Sequence, residues 1–151
     1  MGIRKVFPHL RCKVFDIPDA AKVAKEKIAE ANEGEFIETI GGSVFTDDLP
    51  AGADVVLMSY FLDVWSEEDT KYILKKVFDV LAPGGAVLVK EPFFEDDWRG
   101  VMNPLLIAFM LFGAEGKGGQ QTSYAEMEQH LAEAGFVNTR RETNLVIGEK
   151  P

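Results

Sequence analysis

Basic residues are in short supply in this chain. Its 16 lysines and arginines face 25 aspartates and glutamates, which leaves a formal net charge of -9. A phosphate backbone would be repelled by that balance, so nucleic-acid binding is excluded as a main activity. Cysteine occurs once, at Cys12, so no internal disulfide can form, and no Cys/His cluster points to zinc. A reducing compartment fits, and the chain reads as cytoplasmic. The opening Met1-Gly2-Ile3-Arg4-Lys5 lacks the apolar run of a signal peptide. Gly2 would suit myristoylation, but Val6 stands where that pattern needs a hydroxyl residue. No stretch is long enough to span a bilayer: the most apolar one, Val101 to Gly113, is short and interrupted by Asn103-Pro104. It reads as a buried helix. What remains is ordinary for a folded protein, with 46% hydrophobic residues in a 151-residue chain long enough to bury one domain's core.

Arg11 to Phe15 reads as a strand, closed by Asp16 and Pro18. A helix is expected over about Asp19 to Ala31, with Ala20, Val23, Ala24 and Ile28 on its apolar face. Glu35 to Ile40 is a weak strand ended by Gly41-Gly42, and the apolar run in Asp54 to Tyr60 suggests a strand buried on both faces. Ser66-Glu67-Glu68-Asp69 resembles a capping box for a helix that Ile73, Val77, Val80 and Leu81 pack inward and Pro83-Gly84-Gly85 stops. Ala86 to Lys90 is a further apolar strand, ended by Glu91-Pro92. Ser123-Tyr124-Ala125-Glu126 is a second capping box, opening a helix closed by Gly135. Phe136 to Glu142 and Asn144 to Glu149 form a tight antiparallel pair. Strand–helix alternation of this kind implies an α/β fold with a mostly parallel sheet and helices on both faces.

Several segments in order resemble plant-type and hydroxyindole (acetylserotonin)-type O-methyltransferases dependent on S-adenosylmethionine. Val14-Phe15-Asp16-Ile17-Pro18 is similar to that family's V-F-D-L-P, and Gly41-Gly42-Ser43-Val44-Phe45 to its G-G-D-x-F. Leu49-Pro50-Ala51-Gly52-Ala53-Asp54 resembles L-P-x-x-A-D, and Phe61-Leu62-Asp63-Val64-Trp65-Ser66 resembles V-L-H-D-W-S. Ala82-Pro83-Gly84-Gly85, Lys90-Glu91 and Gly118-Gly119-Gln120-Gln121-Thr122 continue in register. The resemblance implies a Rossmann-like methyltransferase sheet and methyl transfer from S-adenosylmethionine to a hydroxyl of a small, often aromatic, molecule. Residues 1–151 then form part of one methyltransferase domain, and the full-length protein would be a homodimer with no nucleic-acid or membrane partner. The family's first strand and G-x-G-x-G loop, which brings backbone close to the cofactor, are missing ahead of His9. The Gly113 to Gly119 cluster is no substitute, because it follows a helix and lacks a Gly-Lys-Ser/Thr ending. Without that first strand, the strands at Arg11 to Phe15 and Asp54 to Tyr60 are expected to present unpaired edges.

The resemblance also assigns residues. Asp16 would accept hydrogen bonds from the cofactor ribose, the other reading being a cap for the following helix. Ser43 stands in place of an acidic adenine contact, and Val44 and Phe45 would flank the adenine or be plain core. Ser59 and Tyr60 replace a Lys-Trp pair near the cofactor, where Tyr60 could offer an aromatic face. Asp63 falls where the family has its catalytic histidine, the other reading being a loop aspartate without a role. From a phenol of pKa about 10, proton transfer is uphill by roughly 5 kcal/mol to histidine and roughly 8 kcal/mol to an unperturbed aspartate. Burial near Glu91 would narrow that gap. Glu91 itself is expected to orient a base, or else to face solvent. Trp65, Met102, Phe109 and Gln120 fall on the acceptor side, with Met110 and Phe112 adding to an apolar wall that could also be simple core. His130 is expected on the solvent side of the last helix, and neither it nor His9 to serve as base. A second reading of the whole chain is a non-catalytic methyltransferase-like binding or interaction module, since Asp63, Ser43, Ser59 and Gln120 all depart from the family pattern.

Overall fold

The computed structural model describes residues 2–97 and 121–151. The described chain forms two compact units, Met1–Pro50 and Ala51–Pro151. In the first, a short helix α1 (Gly2–Val6) precedes strand β1 (Cys12–Asp16), helix α2 (Pro18–Glu30) and strand β2 (Ile37–Gly41). β1 and β2 are parallel, from Cys12 opposite Ile37 to Asp16 opposite Gly41. Pro18 opens α2, where its fixed φ and missing N–H cost nothing. Ala21 and Ile28 are buried on that helix, whereas Val23, expected on the same face, is 56% exposed. A buried Arg4 ties the amino terminus to this unit. Its Nε lies 2.6 Å from Glu33 Oε2, its guanidinium covers the Phe36 ring, and Nη1 donates to the carbonyls of Pro8 and Leu10.

The second unit holds β3 (Ala53–Ser59), α3 (Glu67–Val80), β4 (Leu81–Lys90), α4 (Tyr124–Ala134), β5 (Val137–Glu142) and β6 (Leu145–Glu149). The strand order is β3-β4-β6-β5, with β3 and β4 parallel and the other pairs antiparallel. The expected parallel start and antiparallel finish are therefore present. β1 and β3 each have one strand partner among the described residues.

Ile73, Leu74 and Val77 of α3 and Met127 and Leu131 of α4 fill the core against Val87, Val89 and Val146 of the sheet. Ser66 caps α3 by accepting from the Asp69 amide, but the Asp69 carboxylate takes the Ser66 hydroxyl rather than returning to the cap backbone. At α4 the capping box is complete, with Ser123 and Glu126 bonding reciprocally, and Gly135 ends the helix at φ 109°.

Two expectations need correction. β3 is not buried on both faces: Met58 is buried, but Val55 and Leu57 on the other face are 55% and 54% exposed. An apolar run cannot by itself distinguish a doubly covered strand from one with an open face. Nor does Pro83-Gly84-Gly85 stop α3, which already ends at Val80. Those residues lie within β4, looped out where the register jumps from Ala53 opposite Leu81 to Val55 opposite Ala86. A Cβ on Gly85 would sit 2.8 Å from the Ala82 carbonyl oxygen and 2.9 Å from that of Asp54, both rigid backbone. Gly85→Ala is expected to destabilise the fold by about 1–3 kcal/mol, the usual range for overpacking. A urea titration reads this as a lowered midpoint; an unchanged midpoint would show that the bulge is loose.

Candidate functional site

β3 and β4 run parallel and finish level, with Ser59 opposite Lys90. Ligands of open α/β sheets bind beyond such carboxyl ends. Tyr60 follows directly, held by its amide to the Lys90 carbonyl at 2.9 Å. Its φ of 52° is left-handed, a costly conformation for an aromatic residue. Beyond it, the amides of Phe61 and Leu62 donate to a single oxygen, Glu91 Oε1, at 2.8 and 3.0 Å. Glu91 is 3% exposed, which removes the solvent-facing alternative. Burial pushes its carboxyl up to about 7, with the two amides pulling it down and the neighbouring Asp63 charge raising it. Its other oxygen, Oε2, is buried with no hydrogen-bond partner.

Asp63 lies in the same segment and is also buried. Burial raises its carboxyl above the ordinary aspartate value, against its own backbone amide and the Gln121 side chain. Gln121 acts by proximity, because its buried Nε2 closes no hydrogen bond of good geometry. Asp63, Glu91, Gln121 and His130 line one cavity, together with Thr70, Phe93 and Met127. His130 is thus a correction: it is 6% exposed, not on the solvent side. The signal was present in the spacing, since Met127, His130, Leu131 and Ala134 stand at i, i+3, i+4 and i+7, the buried face of α4. Burial, chiefly, and the Lys71 charge lower the His130 imidazolium below the ordinary histidine value, against Glu67, Glu133 and Glu126. Trp65 is half-buried and meets the Phe61 ring edge-on, while Ser59 and Tyr60 are exposed. Met102, Phe109, Met110, Phe112 and Gln120 lie outside the described residues.

The first unit carries the remaining expected positions. Asp16 ends β1, exposed, with Oδ1 accepting from the Ile17 amide at 2.8 Å. Ile17 occupies the cap of α2 and no side chain caps it, so the helix-capping alternative for Asp16 is not realised. Ser43 Oγ accepts from the Phe45 amide at 3.3 Å, while the Ser43 amide donates to Asp47 Oδ2 at 2.7 Å. Val44 and Phe45 sit half-buried in that turn. Among the described residues, no group of His, Cys, Asp and Glu is arranged to hold a metal ion.

Glu91 also gives a pH signature. Its folded value of about 7 lies above the ordinary 4.5, so the folded state holds this proton more tightly than the unfolded state. The stabilisation is complete below pH 4.5 and is lost as pH rises through about 7, a loss of about 3 kcal/mol. Glu91→Gln keeps an acceptor for Phe61 and Leu62 and is expected to flatten this slope relative to the parent. Denaturation midpoints at pH 5 and pH 8 check it; equal slopes for the two proteins would refute it.

A family profile described as an O-methyltransferase domain matches residues 1–137. The chain is 35% identical over 133 residues to a 3-hydroxy-5-methyl-1-naphthoate 3-O-methyltransferase of Streptomyces sahachiroi, covering 88% of this chain and 38% of that protein. It is 30% identical over 136 residues to an L-tyrosine C(3)-methyltransferase of Streptomyces lavendulae, covering 90% and 37%. Among solved structures it is similar to human N-acetylserotonin methyltransferase in complex with SAM, with a TM-score of 0.85 at 25% identity over 97% of this chain and 42% of that one. PigF with SAH gives 0.91 at 25% identity, covering 99% and 46%. The chain thus spans less than half the length of these relatives, and the similarity matches the motif resemblance. On the family match and these identities, the chain belongs to the O-methyltransferase domain family.

Proposed function

We propose that residues 1–151 are part of a methyltransferase domain that moves a methyl group from S-adenosylmethionine to a hydroxyl of a small aromatic molecule. The observation that carries this reading is the buried pair Asp63 and Glu91 at the end of two parallel strands, both with raised carboxyls. When bound, the cofactor supplies an electrophilic methyl on a sulfonium. The chain's own task is to hold the acceptor and take its proton. Burial raises the Asp63 carboxyl above the ordinary aspartate value, which narrows its gap to a phenol of pKa about 10. Burial thus works in the direction that offsets the basicity lost when an aspartate stands in place of a histidine. Glu91 Oε1, fixed by two amides, holds the segment that presents Asp63.

The relatives' names favour the same chemistry. One acts on a hydroxynaphthoate and another on the ring carbon beside the tyrosine hydroxyl, and removing the proton from an aryl hydroxyl serves both reactions. Asp16 would accept the ribose hydroxyls, Ser43 would bond the adenine, and Val44 and Phe45 would pack against it. Ser59 and Tyr60 would border the sulfonium, and Trp65, Met102, Phe109 and Gln120 the acceptor. The whole protein would be a cytoplasmic homodimer, in keeping with the free thiol of Cys12 and the family resemblance.

A non-catalytic binding module is the second reading. It is favoured by the size of the cavity beside the carboxylates, about 10 Å³, which admits no aromatic ring. Calorimetric titration with S-adenosylmethionine and transfer of labelled methyl to a hydroxynaphthoate separate the two. Asp16→Asn is expected to weaken cofactor binding about tenfold or more. Asp63→Asn is expected to lower kcat about 10²–10⁴-fold while leaving cofactor affinity unchanged. Tight acceptor binding with no labelled product would favour the binding module.

A further inference from the structure

Three polar atoms lining the cavity are buried without a hydrogen-bond partner: Glu91 Oε2, Gln121 Nε2 and His130 Nδ1. They come from three separate segments of one unit, the end of β4, the chain entering α4, and α4 itself. Buried polar groups left unpaired are costly, so three around one cavity call for a shared partner. The cavity's interior volume of about 10 Å³ is that of one water-sized sphere. A water there has three partners of the right kinds, within the two to four that buried waters make.

We infer that this cavity holds one structural water joining Glu91 Oε2 to His130 Nδ1, so that His130 relays protons between the carboxylate pair and the surface at Glu67. The water accepts from the Gln121 amide and donates to Glu91 Oε2 and His130 Nδ1. That arrangement requires the His130 tautomer with its proton on Nε2. Nε2 faces Glu67 Oε1 at 3.6 Å, and the Glu67 side chain is 52% exposed. A proton released at Asp63 or Glu91 moves to the water, a water proton moves to Nδ1, and the Nε2 proton leaves by way of Glu67. One proton enters and one leaves, with no change of oxidation state.

The groups around the relay set its direction. Lys71 lies 2.7 Å from Glu67 Oε1 and 3.0 Å from Glu133 Oε2, holding both carboxylates ionised at the outer end. Glu126 also faces His130, and Lys90 and Asp63 face Glu91. Burial disfavours the imidazolium, so His130 rests neutral and passes a proton on rather than storing it.

The relay serves the methyl transfer proposed above, but its structure can be tested without it. Long-range proton–nitrogen NMR on histidine-labelled chain resolves the two histidines, with His9→Gln giving the assignment. The expected result is a neutral His130 with its proton on Nε2, and a slowly exchanging water with an Overhauser effect to the Gln121 side-chain amide. Gln121→Leu should abolish that water signal while the tautomer remains measurable. A proton on Nδ1, or no slow water in the parent chain, overturns the inference. In the methyl-transfer assay, His130→Gln is expected to lower kcat about tenfold or more, leave the acceptor KM unchanged and alter the solvent isotope effect. An unchanged kcat and isotope effect overturn the relay while leaving the transfer reading intact. A parent protein that keeps the water and tautomer but transfers no methyl supports the link and overturns the transfer reading.

Discussion

Two backbone amides on one carboxylate oxygen hold the second unit's site together. Phe61 and Leu62 donate to Glu91 Oε1, and this pair of hydrogen bonds joins the chain leaving β3 to the chain leaving β4. Parallel strands bring those two exits level, but pairing alone would let the following segments diverge. The carboxylate gathers them. In doing so it is drawn out of water, and its second oxygen is aimed into the cavity with Gln121 and His130. One contact therefore closes the turn, buries a charge and shifts the basicity of the group that makes it.

Where local physics decided the outcome, the structure was legible in the sequence. The capping box at Ser123 and Glu126, the left-handed Gly135 and the tight hairpin of β5 and β6 all depend on residues a few positions apart. The same holds for the carboxyl-end position of Glu91. What escaped depended on partners distant in the chain. Arg4 could not be read as buried, because its partner Glu33 lies 29 residues away. The open face of β3 could not be seen in Val55 and Leu57, since an apolar residue does not announce what covers it. Pro83-Gly84-Gly85 misled for a related reason: a helix-stop signal and a strand bulge use the same residues. His130 is polar, which favours the solvent side, but its place in the period of α4 turns it inward.

The departures from the family's motifs acquire a physical sense in this setting. An aspartate in place of a histidine looks like a loss of several kcal/mol of basicity when the two are compared in water. Inside the cavity wall, desolvation raises both Asp63 and Glu91, and the Asp63 charge raises Glu91 further. The environment, more than the residue type, sets the proton affinity available to a ligand there.

Tyr60 shows what that arrangement demands of the backbone. It holds a bulky ring at a positive φ that glycine would adopt freely, at a cost of roughly 1–2 kcal/mol. Its ring is 53% exposed, with the Lys90 ammonium 5.0 Å from its centre. Folding by itself would be better served by glycine, so a library selected for stability alone should drift toward glycine or asparagine at this position. A library selected for binding at the strand ends should keep the ring, and the difference between the two populations would measure what the surface at Tyr60 is for.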